Sequence, residues 1–346
     1  MAAASDSASH YDVQRDRRLA VTQDWRRNRR TVIRGADIAP QPTARGMATA
    51  CYIGTETGSP TRLVDCARHE LRPGAVTTAH RHSWDAVLIV VSGTGWTEVE
   101  GRRYRWRPWD AMHLPNWAAH RHGTDDPRGA ALLSFSSEPV FGSLGAAWLL
   151  PGDVPHPLEA AEGPRGDGQD PASARATRLH AARQAAAQAR VFSDYDDCQL
   201  RANRKGTRSA FLVDPSIGYA TSGLTMVMTQ YGPSLWQAKH RHPGEALLYV
   251  VEGRGHSYFG LEPTGGEEEA WQAGDLLVVD HFLWHQHFND DPDRAARLLR
   301  VHLMETMLTT MQALLDPLPL LQEPPEELAK APDATVSDWP DDRRPE

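Results

Sequence analysis

One stretch of this chain occurs twice, as HRHSWDAVLIVVSGTG from His80 to Gly95 and as HRHPGEALLYVVEGRG from His240 to Gly255. Each copy opens with two histidines one residue apart, runs into an apolar, β-branched segment and closes in a G-x-G turn. Residues i and i+2 of a strand point to one face. His80 and His82 therefore aim two imidazoles at one place, and so do His240 and His242. A third histidine follows in each half before a similar polar turn: His120 in AHRHGTDDP and His285 in WHQHFNDDP. Two histidines from one strand and one from a neighbour make a facial metal site with open positions. The spacing repeats as well. His80, His82, Gly93 and Gly95 precede His240, His242, Gly253 and Gly255 by 160 residues. Trp106, Asp110, His120, His122 and Pro127 precede Trp271, Asp275, His285, His287 and Pro292 by 165. The extra residues fall in GLEPTGGEEEAW, a loop by composition. One supersecondary plan copied with a single loop insertion means a duplicated domain.

At 346 residues the chain is long enough for two such units, each with its own core. Around the histidine stretches lie short strand-like runs separated by turn residues, among them TRLVDCARHEL before Pro73-Gly74 and AALLSFS from Ala130 to Ser136. That succession predicts an all-β sandwich or barrel rather than an α/β fold. The expected organisation is an N-terminal extension over 1–45, a first β domain over 46–150, a linker over 151–205, a second β domain over 206–303 and a tail over 304–346. The extension is polar, with a helix expected near Tyr11 to Trp25. In the linker, Asp170 before Pro171 reads as a helix start leading into the Ala/Arg/Gln segment Ala172 to Arg190. Met304, Met307, Leu308, Met311, Leu314 and Leu315 carry helical spacing and read as core packing; an acidic, Pro-rich tail follows.

The formal net charge of −8 argues against nucleic acid as a partner, and the run WRRNRR reads as a solvated surface. Cys51, Cys66 and Cys198 are scattered and form no C-x-x-C pair, so neither a zinc–thiolate site nor a disulfide framework is suggested. No segment is apolar over a membrane-spanning length, and the first thirty residues hold no signal-like apolar run. A cytoplasmic protein without a membrane partner is expected.

The motifs resemble those of the bicupins, in which strand-borne histidines hold a metal inside each of two jelly-roll barrels. Gly74, His80, His82 and Gly93 fit the first cupin motif, G-x5-H-x-H-x3-4-E-x6-G, as do His240, His242 and Gly253, with Gly232 one residue early. Gly274, His285 and Asn289 fit the second motif, with Asp280 in place of its proline. In the first half Pro115 and His120 fit it, with Trp109 and Thr124 at the Gly and Asn places. Ala86 and Ala246 stand where most cupins carry a glutamate ligand. That pattern is similar to the gentisate 1,2-dioxygenase branch. The resemblance implies two three-histidine sites, His80/His82/His120 and His240/His242/His285. It also implies Fe(II), O2, a hydroxylated aromatic substrate, ring cleavage beside the hydroxyl, and a homo-oligomer. His122 and His287, two residues past the third ligand, are the candidates to take the phenolic proton.

Two departures qualify the expectation. Leu88 and Leu248 occupy the place, six residues after the second histidine, where that branch carries an arginine for the substrate carboxylate. A carboxylate must then be gripped from Arg81, Arg241 or the N-terminal segment. Failing that, catechol-like or hydroquinone-like compounds should be turned over at least as well as gentisate. Asp85 and Glu245, three residues after the second histidine, face out of the barrel by strand alternation; a bulge would turn them inward as a fourth ligand. In that case Mn(II) and a decarboxylase or isomerase come into view. A small-ligand-binding bicupin without turnover is the third reading. Of Trp84, Trp117, Trp236, Phe282 and Trp284, most are expected in the core, with one or two free to stack on a ring.

Overall fold

The apolar runs AVLIVV and ALLYVV do not alternate with polar residues, which requires a strand buried on both faces. The computed structural model supplies both covers. It describes residues 9–57, 61–154, 170–203, 205–242, 244–303 and 344–345. In the strand Ala86–Ser92, Ala86, Leu88 and Val90 point into the first barrel with Trp106, Leu114 and Leu132. Val87 and Ile89 point the other way, into a layer shared with Leu212, Leu224, Met226, Leu247, Tyr249, Leu299 and Val301 of the second half. The strand Ala246–Glu252 repeats the arrangement, with Ala246, Leu248 and Val250 inside the second barrel beside Phe259, Trp271 and Leu298. The two domains thus bury their large sheets against each other, and each smaller sheet closes a barrel on the far side.

In the first half a seven-stranded antiparallel sheet runs, in order, 192–193, 111–114, 86–92, 130–136, 65–71, 48–53 and 41–42. Facing it is a five-stranded sheet of 149–151, 80–82, 120–123, 95–99 and 102–106. The second half repeats this with 32–33, 276–279, 246–252, 296–303, 224–231, 208–213 and 201–202 over 267–272, 254–260 and 284–289. The all-β class and the two-barrel plan expected from the sequence are both present. Glycine at the end of the long strands is required by space: a Cβ on Gly93 would lie 2.2 Å from the Gly129 carbonyl oxygen, and one on Gly253 2.6 Å from the Ala296 side chain. Trp109 stands at the Gly place of the second motif and holds φ at +71°, the left-handed region that Gly274 occupies in the other half at +93°.

The extension and the linker contribute more than connection. Val32–Ile33 pairs with Leu276–Leu277 of the second barrel, and Phe192–Ser193 pairs with Ala111–Met112 of the first. Each domain therefore receives its edge strand from the segment preceding the other, a reciprocal exchange that local periodicity does not encode. The extension's helix spans His10–Asn28 and opens on a Ser9–Asp12 capping box. The linker helix spans Pro171–Ala187 with Asp170 as its cap. The methionine-rich stretch after Leu303 lies outside the described residues. Cys51, Cys66 and Cys198 are free thiols. Among the described residues no helix is long and apolar enough to cross a membrane.

Candidate metal centres

The strand His80–His82 pairs with His120–Gly123 in a register that sets His120 opposite His80. The His240↔His285 bridge does the same in the second barrel. The outcome is two triads, each with one ligand atom per histidine and all three atoms within 4.8 Å of one another. Ring centroids in the first are 4.1 Å (His80–His120), 4.9 Å (His82–His120) and 5.5 Å (His80–His82) apart. In the second they are 4.3, 4.9 and 5.7 Å.

The surroundings fix which nitrogen four of the six rings present. A backbone carbonyl only accepts, so a ring nitrogen bonded to one carries the proton. His120 Nδ1–H donates to Ala118 O at 2.8 Å and His82 Nδ1–H to Trp84 O at 2.5 Å. His240 and His285 Nδ1–H donate to Ala238 O and Leu283 O, each at 2.8 Å. Nε2 is thereby left unprotonated, its lone pair the one each ring can offer to a metal, the arrangement of metal-ligating histidine. Burial keeps these rings neutral: it pushes the pKa of His82 down to about 4, of His80 to about 2 and of His285 to about 3, and those of His120, His240 and His242 well below the usual value. Three neutral imidazoles converging at this distance fit a divalent metal ion.

A cation already sits on the first histidine of each triad. Arg45 Nη1 lies 2.8 Å from His80 Nε2 and Nη2 2.5 Å from Nδ1. Lys205 Nζ lies 3.0 Å from His240 Nε2. Both come from a loop that docks on the segment before the histidine pair, through Thr78 N–H to Arg45 O and Ala238 N–H to Lys205 O. Motif reasoning overlooked both, yet they stand 160 residues apart, the same offset as the histidines. Of the arginines named from the sequence, Arg81 donates to Gly152 O at 3.3 Å, and Arg241 lies over the Trp284 and Phe282 rings at 4.8 and 5.8 Å. The N-terminal segment, through Arg45, is the source that reaches the first triad.

His122 and His287 lie beside the triads, with ring centroids 5.9 Å from His120 and 5.5 Å from His285. Each is held at Nδ1 by a hydroxyl, Thr97 at 2.8 Å and Ser257 at 2.7 Å. Trp106 and Trp271 Nε1–H donate to those same hydroxyls. Burial lowers His122 to about 3 and His287 well below its usual value. Among the aromatics, Trp84 stacks on His82 at 4.7 Å, and Trp284 is core.

Asp85 and Glu245 are fully buried but engage the opposite domain. Asp85 accepts from Ser222 N–H at 2.8 Å, from the Ser222 hydroxyl, from Ser137 Oγ at 2.6 Å and from His113 Nε2 at 3.3 Å. Glu245 accepts from Arg62 N–H at 2.7 Å and Leu63 N–H at 2.9 Å. Neither belongs to a triad. They are a reciprocal pair of clamps across the domain interface.

Two segments, residues 67–136 and 227–302, match the family described as Cupin domain. A 5-aminosalicylate 1,2-dioxygenase of Comamonas sp is 41% identical over 121 residues, 34% of this chain and 32% of that protein. In that match the chain spans about a third of the relative's length. A 1-hydroxy-2-naphthoate 1,2-dioxygenase of Nocardioides sp. (strain KP7) is 24% identical over 88% of this chain and 78% of its own. Salicylate 1,2-dioxygenase from Pseudaminobacter salicylatoxidans superposes with a TM-score of 0.52 at 18% identity, over 73% of each chain. Oxalate decarboxylase from Bacillus subtilis superposes at 0.56 and 15%, over 83% of each. At those identities the two structures speak for the fold alone.

Proposed function

We propose that this chain, two segments of which match the Cupin domain, is an Fe(II)-dependent dioxygenase that cleaves the ring of a hydroxylated aromatic acid. The observation carrying this reading is the donor set: three neutral histidines per barrel, with the nearby carboxylates engaged elsewhere. Relatives named as 1,2-dioxygenases of 5-aminosalicylate and 1-hydroxy-2-naphthoate support it. His80, His82 and His120 would hold one metal, and His240, His242 and His285 another. Bound there, Fe(II) would supply the redox link between a hydroxylated aromatic substrate and O2 that ring cleavage beside the hydroxyl requires.

The chain's own residues bind and orient the substrate. Arg45 is placed to grip a carboxylate by its bidentate fork once a metal occupies the His80 lone pair. Leu88 and Ala86 give the first barrel an apolar wall for the ring. His122, with its pKa near 3, presents a neutral ring fixed by Thr97. It accepts a phenolic proton only with an anion beside it, so its first task is to orient the substrate by hydrogen bonding. With Arg45 in this role, carboxylated phenols such as gentisate or salicylate rank above uncharged phenols, the reverse of the order expected from Leu88 alone. The decarboxylase or isomerase reading needed Asp85 or Glu245 as a ligand, and both are committed to the domain interface.

The test is oxygen uptake by Fe(II)-reconstituted protein against gentisate, salicylate, 5-aminosalicylate, catechol and hydroquinone. Uptake with at least one aromatic acid, absent without Fe(II), is the expected result. Metal-loaded protein that consumes no O2 with any of them overturns the proposal.

A further inference from the structure

The two barrels carry the same triad but enclose it differently. Along the last strand of the second barrel, Ala296 and Leu298 face the interior, and Arg300 follows them in phase. Its cross-strand partner is Leu248. In the first barrel the residue opposite Leu88 is Ser134, in phase with Ala130 and Leu132. Directly opposed side chains on one sheet face are close neighbours. Ser134 and Arg300 therefore hold the same place in the plan, a short hydroxyl in one barrel and a guanidinium on a long stem in the other. A second exchange accompanies it: His69, opposite Leu132, gives way to Thr229, opposite Leu298.

Water reaches the two interiors to different extents. His69, His80 and Ser134 of the first barrel all retain accessible surface. At two of the matching places in the second barrel, Thr229 is 4% exposed and His240 1%. Beside the second triad lies a cavity of about 10 Å³, lined by His242, His285, His287 and Arg300 among others. That is the room of a single water. Of all the residues lining it, Arg300 alone retains accessible surface. Arg300 thus stands at the mouth, between the cavity and the outside. Its Nε is buried and has no hydrogen-bond partner among the described residues. A water in the cavity would give that N–H an acceptor.

On the reading of His240, His242 and His285 as a metal site, we propose that Arg300 is a plug: it closes this centre to every ligand larger than water, and the metal held there is a structural part of the second barrel. A closed centre offers its ion no open face for a substrate, and the ion contributes by binding the folded chain and not the unfolded one. The charge of Arg300 does not serve as an anchor for an anion here, because the side chain itself fills the space that an anion would need.

The experiment uses full-length His82→Ala protein, in which the first triad is broken, loaded with Co(II) so that its visible band reports the second barrel. Acetate and salicylate are titrated separately at constant ionic strength. Neither should shift the band, and EDTA should remove the Co(II) no faster than the chain unfolds. Adding Arg300→Ser installs the first barrel's residue and removes more atoms than acetate contains. Acetate should then shift the band saturably, half-saturating at least tenfold below the highest concentration that leaves the parent unchanged, although a positive charge has been lost. EDTA should also remove the Co(II) at least tenfold faster than from the parent. Arg300→Ala replaces the serine variant if that one does not fold or hold metal. A saturable response in the parent, EDTA removal faster than unfolding there, or a Co(II)-loaded Arg300 variant that still ignores acetate overturns the proposal. Absence of Co(II) from the parent overturns the metal reading beneath it, and is seen separately as metal content.

Discussion

Replacing Asp85 by asparagine separates a structural clamp from a metal ligand. Asp85 is 0% exposed and accepts from Ser222, Ser137 and His113, the first of these from the other domain. Burial pushes its pKa up, but the hydrogen bond and charge of His113, with Ser137 and Ser222, bring the net value below the usual carboxylate range. The fold therefore favours the ionised form. Asparagine keeps one acceptor and turns an NH2 toward groups that donate. Hydrogen bonds to a charged group contribute about 1.5–3 kcal/mol each, so losing one or two of them should cost about 3 kcal/mol. Glu245 is the contrast. Burial raises its pKa and outweighs the backbone N–H donors of Arg62 and Leu63. Its charge is therefore held less favourably than that of Asp85, and Glu245→Gln should cost less than Asp85→Asn, about 1 kcal/mol. The pH dependences oppose each other. Asp85 contributes stability that is present above its unfolded pKa and lost as pH falls through its lower folded value. Glu245 has a raised folded pKa, so its contribution declines as pH rises through that value, and the Gln variant gains on wild type in the same direction. Urea denaturation, with metal content measured on the same samples, is the assay. Metal content should be unchanged in both variants. Loss of metal from a variant that keeps wild-type stability would refute the clamp and make that acid a ligand.

Three other outcomes follow from the site. His82→Ala and His242→Ala should each remove the metal of one barrel and the double variant should bind none, measured by elemental analysis after purification without chelators; wild-type metal in the double variant contradicts the triads. Arg45→Leu should raise KM for gentisate-like acids by roughly 30-fold, about 2 kcal/mol, while catechol kinetics stay within a few-fold; an equal loss on both substrates would make Arg45 structural. Metal-free protein should lose stability as pH falls below about 6.5, because buried His122, with a folded pKa near 3, stays neutral while the unfolded chain takes up the proton. The slope is about 1.4 kcal/mol per pH unit for each such histidine, read from urea melts at pH 7 and 5.5; a flat profile contradicts it.

The repeat made the architecture legible, because the histidine pairs, the G-x-G turns and the doubly apolar strands all report local periodicity. His120 and His285 were readable for the same reason. What escaped depends on register between distant strands. The exchanged strands at Val32–Ile33 and Phe192–Ser193 are two residues long, too short for any periodic signal. Arg300 enters the second barrel because it lies opposite Leu248 across a strand pair, a relation with no mark in the sequence. Arg45 and Lys205 were findable by their shared 160-residue offset, but the chemistry differs between them and the cupin motifs do not include that loop. Asp85 and Glu245 were placed outside the barrels by alternation, while the partner each finds in the other domain required the fold.

The central claim is ring cleavage with oxygen incorporation at a three-histidine metal site, and isotope labelling addresses it directly. Fe(II)-reconstituted protein is given the best aromatic acid of the panel under 18O2, and the product mass is measured. The account predicts a ring-opened product carrying both oxygen atoms from O2. Product carrying no label, or loss of CO2 with the ring intact, would contradict it.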